Sequence, residues 1–447
     1  MNKVLVTTVG IAACIALLCA CGSSGQDETD KDLGGANPDA SAVEVTQDVP
    51  GEVLADLPSD AGAIDLRATD LPGETAQDSQ PDLAEPGIAA LQFGPFQQWA
   101  SPVQDYIDVN TEVLGHTDFM FAIHAMAVFQ DRLYFGYGDA NLNLGHNTPI
   151  EIRYFTQPEP EAHTFDFITD EEQISSYRID GDLLMIPGVD ATQDGLMGNA
   201  YTMSTGGSWY KSRTLEFGWH VHDILRIGDD LYACGSGGTG DDYQNSTVNA
   251  FVWQSIDGGE TFQIHVQSPH PEPPGDHRYV HLLKAGNQVY VFGYYSDQYY
   301  SYGLSYRLSD GAVELWDEML SFFTTNTIQV SDDLGLVAGV IIADPMKFGV
   351  VKVTPDGAEP SDMLVGNTLL AGQPLGDGRA VLLYQQGDKH PGQVNGPWAF
   401  HVGLYADGQV AKLASLVGDT HAVSVAFWRN SLYLGLTDGT IWRAQGH

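Results

Sequence analysis

His220 and His222 stand two residues apart in Gly218-Trp219-His220-Val221-His222-Asp223, a string that reads as extended chain. Side chains alternate between the faces of a strand, so both imidazoles project to one side, as two ligands of one metal ion would. Neutral imidazoles suit a transition metal or acid-base work, and a divalent metal is the cofactor this pair would hold. His124 lies nine residues before Leu133, as His222 does before Leu231; His281 aligns with Asp223 and His421 with His220. Asp190, Trp209 and Arg213 add a carboxyl, an aromatic platform and a fixed cation. Together with His220, His222, Asp223, His124, His281 and His421 they form the candidate ligand-binding set, placed at a blade junction. A second reading stands beside it: each His pins a strand-entry loop through a ring N–H to a backbone carbonyl, repeated because the units repeat. No catalytic residue emerges.

The elements that must position these side chains repeat along the chain. Polar turn residues, then Leu or Val, then Tyr or an aliphatic, then a small residue or Gly recur with Leu133, Leu183, Leu231, Val289, Leu334, Ala380 and Leu432 as anchors. Successive spacings are about 50, 48, 58, 45, 46 and 52 residues, the length of one four-stranded propeller blade. The fold class expected is all-β, a seven-bladed β-propeller. Asp-Gly pairs at Asp180, Asp257, Asp310, Asp356, Asp407 and Asp438 supply hairpin chemistry. No long 3.6-residue periodicity is visible in the folded part, which disfavours an α/β enzyme. Only about 15 residues follow the last anchor, so blade seven must borrow strands from roughly residues 92–121, closing the ring and removing an exposed sheet edge. The candidate histidines then fall where innermost strands begin, around one mouth of the central channel.

Ser255-Ile256-Asp257-Gly258-Gly259-Glu260-Thr261-Phe262 resembles the Asp-box, or bacterial neuraminidase repeat, of sialidases and other propellers. The resemblance implies a structural role for Ser255, Asp257, Gly259, Thr261 and Phe262: the Asp caps a hairpin on the outer part of a blade and the aromatic packs beneath the next strand. It implies the fold and not the chemistry. A sialidase would also need three Arg gripping a sugar carboxylate, and the Arg-Ile-Pro string of that family is absent.

Three other segments carry weaker signals. Asp139-Ala140-Asn141-Leu142-Asn143-Leu144-Gly145 has calcium-loop spacing but lacks Gly at position six and Glu at twelve. Tyr294, Tyr295, Tyr299, Tyr300, Tyr302 and Tyr306 could stack on sugar rings, although tyrosines also crowd strands and blade interfaces. The glycine run from Gly235 to Gly240 lacks the Lys and helix of a phosphate loop, and Asn245-Ser246-Thr247 matches a glycan sequon by chance.

The start of the chain concerns address. Lys3 precedes an apolar run over residues 4–18, too short for a stable membrane span, ending in Leu18-Cys19-Ala20-Cys21. That string resembles the lipobox of bacterial lipoproteins, which implies cleavage before Cys21 and a lipid on its thiol. Gly22 after the Cys resembles the outer-membrane sorting default. Residues 22–86 hold roughly sixteen acids, two bases and no aromatic residue, a composition that stays unfolded and extended as an acidic spacer. The expected organisation is therefore a signal peptide over 1–20, a lipidated Cys21 and disordered linker over 21–90, and a propeller over 91–447. With 19 Lys and Arg against 59 Asp and Glu, the net charge of −40 disfavours nucleic-acid partners. Cys234 remains as a small buried hydrophobe. The expected function is a cell-envelope, lipid-anchored module binding a ligand or protein, with envelope proteins or glycans as partners. The alternative is a carbohydrate-active enzyme, a glycoside hydrolase or metal-dependent lyase, working at the propeller mouth.

Overall fold

The structure is a computed structural model that describes residues 88–140, 150–193, 195–238, 248–268, 275–296, 301–309, 312–316, 319, 322–341, 347–387 and 396–447. The signal segment, Cys21 and the whole acidic spacer over residues 22–86 lie outside the described residues. So do residues 141–145 of the Asp139 loop, residues 239 and 240, Asn245, Tyr299, Tyr300 and the Asp310-Gly311 turn.

β1 (Gln97–Ala100) and the helix α1 (Gln104–Leu114) open the folded part. Blade one holds β2 (Ala125–Phe129), β3 (Arg132–Gly136), β4 (Glu151–Phe155) and β5 (His163–Ile168). Blade two holds β6 (Arg178–Asp180), β7 (Leu183–Pro187), β8 (Met197–Ser204) and β9 (Tyr210–Glu216). Blade three holds β10 (His220–Ile227), β11 (Asp230–Gly238), β12 (Val248–Ser255) and β13 (Gln263–Gln267). Blade four holds β14 (Asp276–Ala285), β15 (Gln288–Ser296), β16 (Ser301–Ser309) and β17 (Ala312–Leu315). Blade five holds β18 (Phe322–Ser331), β19 (Leu334–Ile341), β20 (Lys347–Thr354) and β21 (Gly357–Ser361). Blade six holds β22 (Asn367–Pro374), β23 (Ala380–Gln386), β24 (Trp398–Ala406) and β25 (Gln409–Gly418). Blade seven holds β26 (Ala422–Trp428), β27 (Ser431–Leu436), β28 (Ile441–Gln445) and, on its outer edge, β1. The fold is a seven-bladed β-propeller.

The ring closes through one borrowed strand. β1 pairs antiparallel with β28, Gln97 opposite Arg443 and Gln98 opposite Trp442, and Phe93 bridges Gly446. The N-terminal and C-terminal ends of the propeller thus share a sheet, which leaves no unpaired gap in the ring. Only residues 97–100 of the segment 92–121 become strand; α1 follows instead. Tyr106 and Asn110, one helical turn apart, face inward, and Gly115 ends the helix at φ 73° with its N–H on the Thr111 carbonyl. One buried face on eleven residues is too short to show as a long periodic pattern.

The repeated strings are the second strand of each blade and not the innermost one. Second strands are flanked by strands on both edges and by blades on both faces, so they carry the most uniformly apolar sequence. β27 is buried at every position, and β23 at all but its last. The histidine-bearing segments therefore sit on, or just before, the innermost strands themselves. The closing small residue of the repeat has a steric cause. β10, β14, β18, β22 and β26 each carry a bulge near their entry, after Val221, Tyr279, Thr324, Leu369 and Ala422. Three of these bulges lie opposite Gly235, Gly293 and Gly339 of the second strand. A Cβ on Gly235 would sit 2.0 Å from the His220 carbonyl oxygen, and one on Gly293 would sit 2.0 Å from that of Arg278. Only glycine permits that approach.

Candidate functional site

The residue just after the bulge reaches the next blade around the ring. Asp223 accepts from the Leu282 N–H of blade four at 2.8 Å, Asn326 donates to the Leu370 carbonyl of blade six at 2.6 Å, and Ser424 donates to the Ile123 carbonyl beside blade one at 2.6 Å. His281 occupies the same register in blade four, with the Thr325 backbone of blade five against its ring. This position is a stitch between blades. For His281 the contact with the Thr325 backbone is the kind the loop-pinning reading expects.

Asp223 is further committed. Arg178 of β6 grips it bidentately, Nε on Oδ1 at 2.7 Å and Nη2 on Oδ2, while Nη2 also meets the Leu282 carbonyl and the Thr327 hydroxyl. One guanidinium thereby joins the innermost strands of blades two, three, four and five. With the Ile224 N–H also on Oδ1 at 2.9 Å, every Asp223 lone-pair direction is in use, so it is a structural staple and not a ligand contact.

Other candidates separate. His421 is buried against Trp398 and Phe400, its Nε2 2.9 Å from Gln385 Oε1, between blades six and seven. His124 holds the Gly138 carbonyl through Nε2 at 3.0 Å. Trp209 is buried, its ring in a T-shaped contact with Tyr134, in a core shared by blades one, two and seven, and offers no platform at the mouth. Arg213 donates to Asn199 Oδ1 at 3.2 Å and to the Gln193 carbonyl at 3.1 Å.

His220, His222 and Asp190 do come together, where β10 begins. The two rings stack at 5.9 Å with 19° between their planes. His220 Nδ1 is 3.0 Å from the Val189 carbonyl and 3.8 Å from Asp190 Oδ2, and His222 Nε2 is 3.4 Å from Ser236 Oγ. Burial, with the Arg278 cation nearby, pushes His220 down to about 3; burial and then His220 itself push His222 well below the ordinary range. Both are neutral at physiological pH. Burial, then the charges of Glu172 and Glu171, push Asp190 up to about 9, so it holds its proton and can donate a hydrogen bond. Its Oδ2 has no hydrogen-bond partner among the described residues. Among those residues, no group of three or more His, Cys, Asp or Glu is arranged to hold a metal ion.

The supports of this site were not visible in the sequence. Residues 169–174, which connect blades one and two, run beside residues 188–193: Glu171 bridges Ala191, Glu172 N–H meets the Asp190 carbonyl at 3.0 Å, and Thr192 N–H meets the Asp170 carbonyl at 2.9 Å. Residues 188–193 in turn hold β10, since the Gly188 carbonyl accepts from Val221 N–H and the Val189 carbonyl receives His220. Glu171, Glu172 and Arg278 are all buried here. Their only signals were an acidic run, Asp170-Glu171-Glu172, in a blade connector and a cation at the start of an inner strand.

The turn between β12 and β13 is tied by its own side chains. Asp257 Oδ1 accepts from Ser255 Oγ at 2.7 Å and Thr261 N–H at 2.9 Å, and Oδ2 accepts from Thr261 Oγ1 at 2.6 Å. The Thr261 hydroxyl and N–H, then Ser255, pull Asp257 down to about 2. Phe262 is buried, and the turn joins the two outer strands of blade three, away from the mouth.

No protein-family model matches the chain, and no curated protein does. Solved structures with a similar fold include a catalytically inactive variant of virginiamycin B lyase from Staphylococcus aureus, at 9% identity and TM-score 0.46, covering 79% of this chain and 99% of that one. The β-propeller domain of the Trilobed protease from Pyrococcus furiosus matches at 12% identity and TM-score 0.46, over 74% of this chain and 95% of that one. An ulvan lyase matches at 12% identity and TM-score 0.42, over 73% and 92%. These likenesses concern the fold alone.

Proposed function

We propose that the chain is a lipid-anchored protein of the bacterial cell envelope whose propeller binds an envelope glycan or protein segment at the mouth of blades two to four. The lipobox-like string ending at Cys21 and the acidic spacer behind it support the anchored placement, and the Asp-box-like turn supports kinship with Asp-box propellers. One observation carries the binding reading: neutral His220 and His222, a proton-bearing Asp190 and the Arg278 cation gather at the entry of the inner strands. Such a set offers donors, acceptors and one fixed charge, which suits recognition of a polar ligand. Asp190 also favours a second reading, a carbohydrate-active enzyme, because a carboxyl that keeps its proton near neutrality is what a general acid requires.

The test is capture of the full chain on immobilised envelope polysaccharides and peptides, with His222→Ala beside the wild type and products followed by mass spectrometry. Retention lost in His222→Ala, with the captured ligand unchanged, supports the binding module. Conversion of the ligand establishes the enzyme instead, and conversion lost on adding chelator assigns His220 and His222 to a divalent metal. Retention that His222→Ala leaves intact removes this mouth as the site. For the anchor, Cys21→Ser should move the protein from the membrane fraction to the soluble one.

A further inference from the structure

The hydrogen bonds at the mouth fix which ring nitrogens carry hydrogen. A carbonyl oxygen accepts and cannot donate, so His220 Nδ1, 3.0 Å from the Val189 carbonyl, bears the hydrogen. In the neutral ring the lone pair is then on Nε2, at the opposite edge, and no hydrogen bond among the described residues uses it. His281 repeats the arrangement. Burial holds it down to about 4 while the Thr325 backbone pulls the other way, as the acceptor of a ring N–H does, and its Nε2 is buried with no hydrogen-bond partner. His222 links the two, its ring stacked on His220 at 5.9 Å and within electrostatic reach of His281. The surplus at this mouth is therefore of acceptors, and acceptors left without donors are costly.

Charge points the same way. Glu171 and Glu172 are buried beside Asp190 against one guanidinium, that of Arg278, which itself has Asp276 Oδ2 at 3.9 Å. An incoming carboxylate, sulfate or phosphate would bring more acceptors and more negative charge to a place already rich in both. A hydroxyl donates to a ring nitrogen and can accept from Asp190 in return. We propose that the mouth takes an uncharged glycan, held by hydroxyl groups that donate to the ring nitrogens left without partners, and turns acidic sugars away. The inference rests on the binding reading above and narrows its ligand to one class.

Retention of oligosaccharides on the immobilised full chain at low salt tests it. The probes are hexasaccharides of glucose, mannose, galactose and N-acetylglucosamine, the first three also oxidised at their primary alcohols to uronates, together with envelope peptides. A neutral chain should be retained, His222→Ala should release it, and its oxidised form should bind at least about tenfold more weakly. Methylating the hydroxyls of the retained chain keeps every acceptor and removes the donors, and should weaken binding about tenfold for each contacting hydroxyl. A uronate or a peptide retained as well as the neutral chain, and released by His222→Ala, overturns the neutral-glycan assignment and leaves the binding module standing. Retention of no probe at all removes the binding module and this inference with it. Should His222→Ala not fold, the wild type decides: a methylated chain that binds as tightly as its parent overturns the proposal.

Discussion

At the scale of single residues, the polar groups near the channel divide into those whose hydrogen-bonding capacity is spent and those with some left. Asp223 and Arg178 are spent on each other and on two other blades. Arg178→Met should strand a buried carboxylate and cost roughly 3–5 kcal/mol in urea denaturation, the range for breaking a buried pair. Adding Asp223→Asn should recover part of that loss, because the stranded charge is then gone. A mouth ligand should be indifferent to this pair and sensitive to His222. The sequence offered His220, His222 and Asp223 as one group, since residues one and two apart look adjacent on paper. The strand alternation and the bulge at His222 turn Asp223 toward Arg178 and leave the rings at the mouth.

At the scale of elements, the bulged inner strand and the glycine opposite it act as one unit. Gly293→Ala should bring a methyl against the Arg278 carbonyl oxygen and cost about 1–3 kcal/mol, read as a lower urea midpoint. The same change should disturb the mouth, because Arg278 moves with its carbonyl. The outer hairpins respond more weakly. Asp257→Ala removes acceptors from an exposed turn and should cost about 1 kcal/mol while leaving the inner strands untouched, checked by denaturation beside exchange of β10 amides. The repeat of Leu, Tyr and Gly in the sequence was thus a record of second strands. Its meaning as a contact between bulge and glycine needed the register, which strings of similar residues do not carry.

At the scale of the whole molecule, buried acids and bases oppose one another across pH. Glu171 and Asp190 bind protons more tightly folded than unfolded, at about 7 and about 9 against 4.5 and 3.8. The stability they contribute is complete at acid pH and is lost as pH rises through those values. His220 and His281 titrate at about 3 and about 4 against 6.5, so their contribution is present above 6.5 and is lost as pH falls through those values. The two sets offset each other between 4.5 and 6.5. Above 6.5 only the carboxyls act, and urea midpoints should fall from pH 6.5 to 9 by an amount worth on the order of 3 kcal/mol. Flat midpoints over that interval would show that the carboxyls at the mouth are hydrated.

The sequence by itself determined the blade count, the strand chemistry and the ring closure, because a period near 50, turn-forming Asp-Gly pairs and too few residues after the last anchor are all local or countable. Only the tertiary structure decided which candidates meet. His421, Trp209 and Asp223 were dispersed into blade interfaces and His124 onto the Gly138 carbonyl of its own blade, and Glu171, Glu172 and Arg278 were brought in to join His220, His222 and Asp190. The cause is the geometry of a ring. Residues at matching positions of different blades point at different neighbours, whereas connectors far apart in sequence are folded onto the same mouth, and burial there sets which groups carry protons.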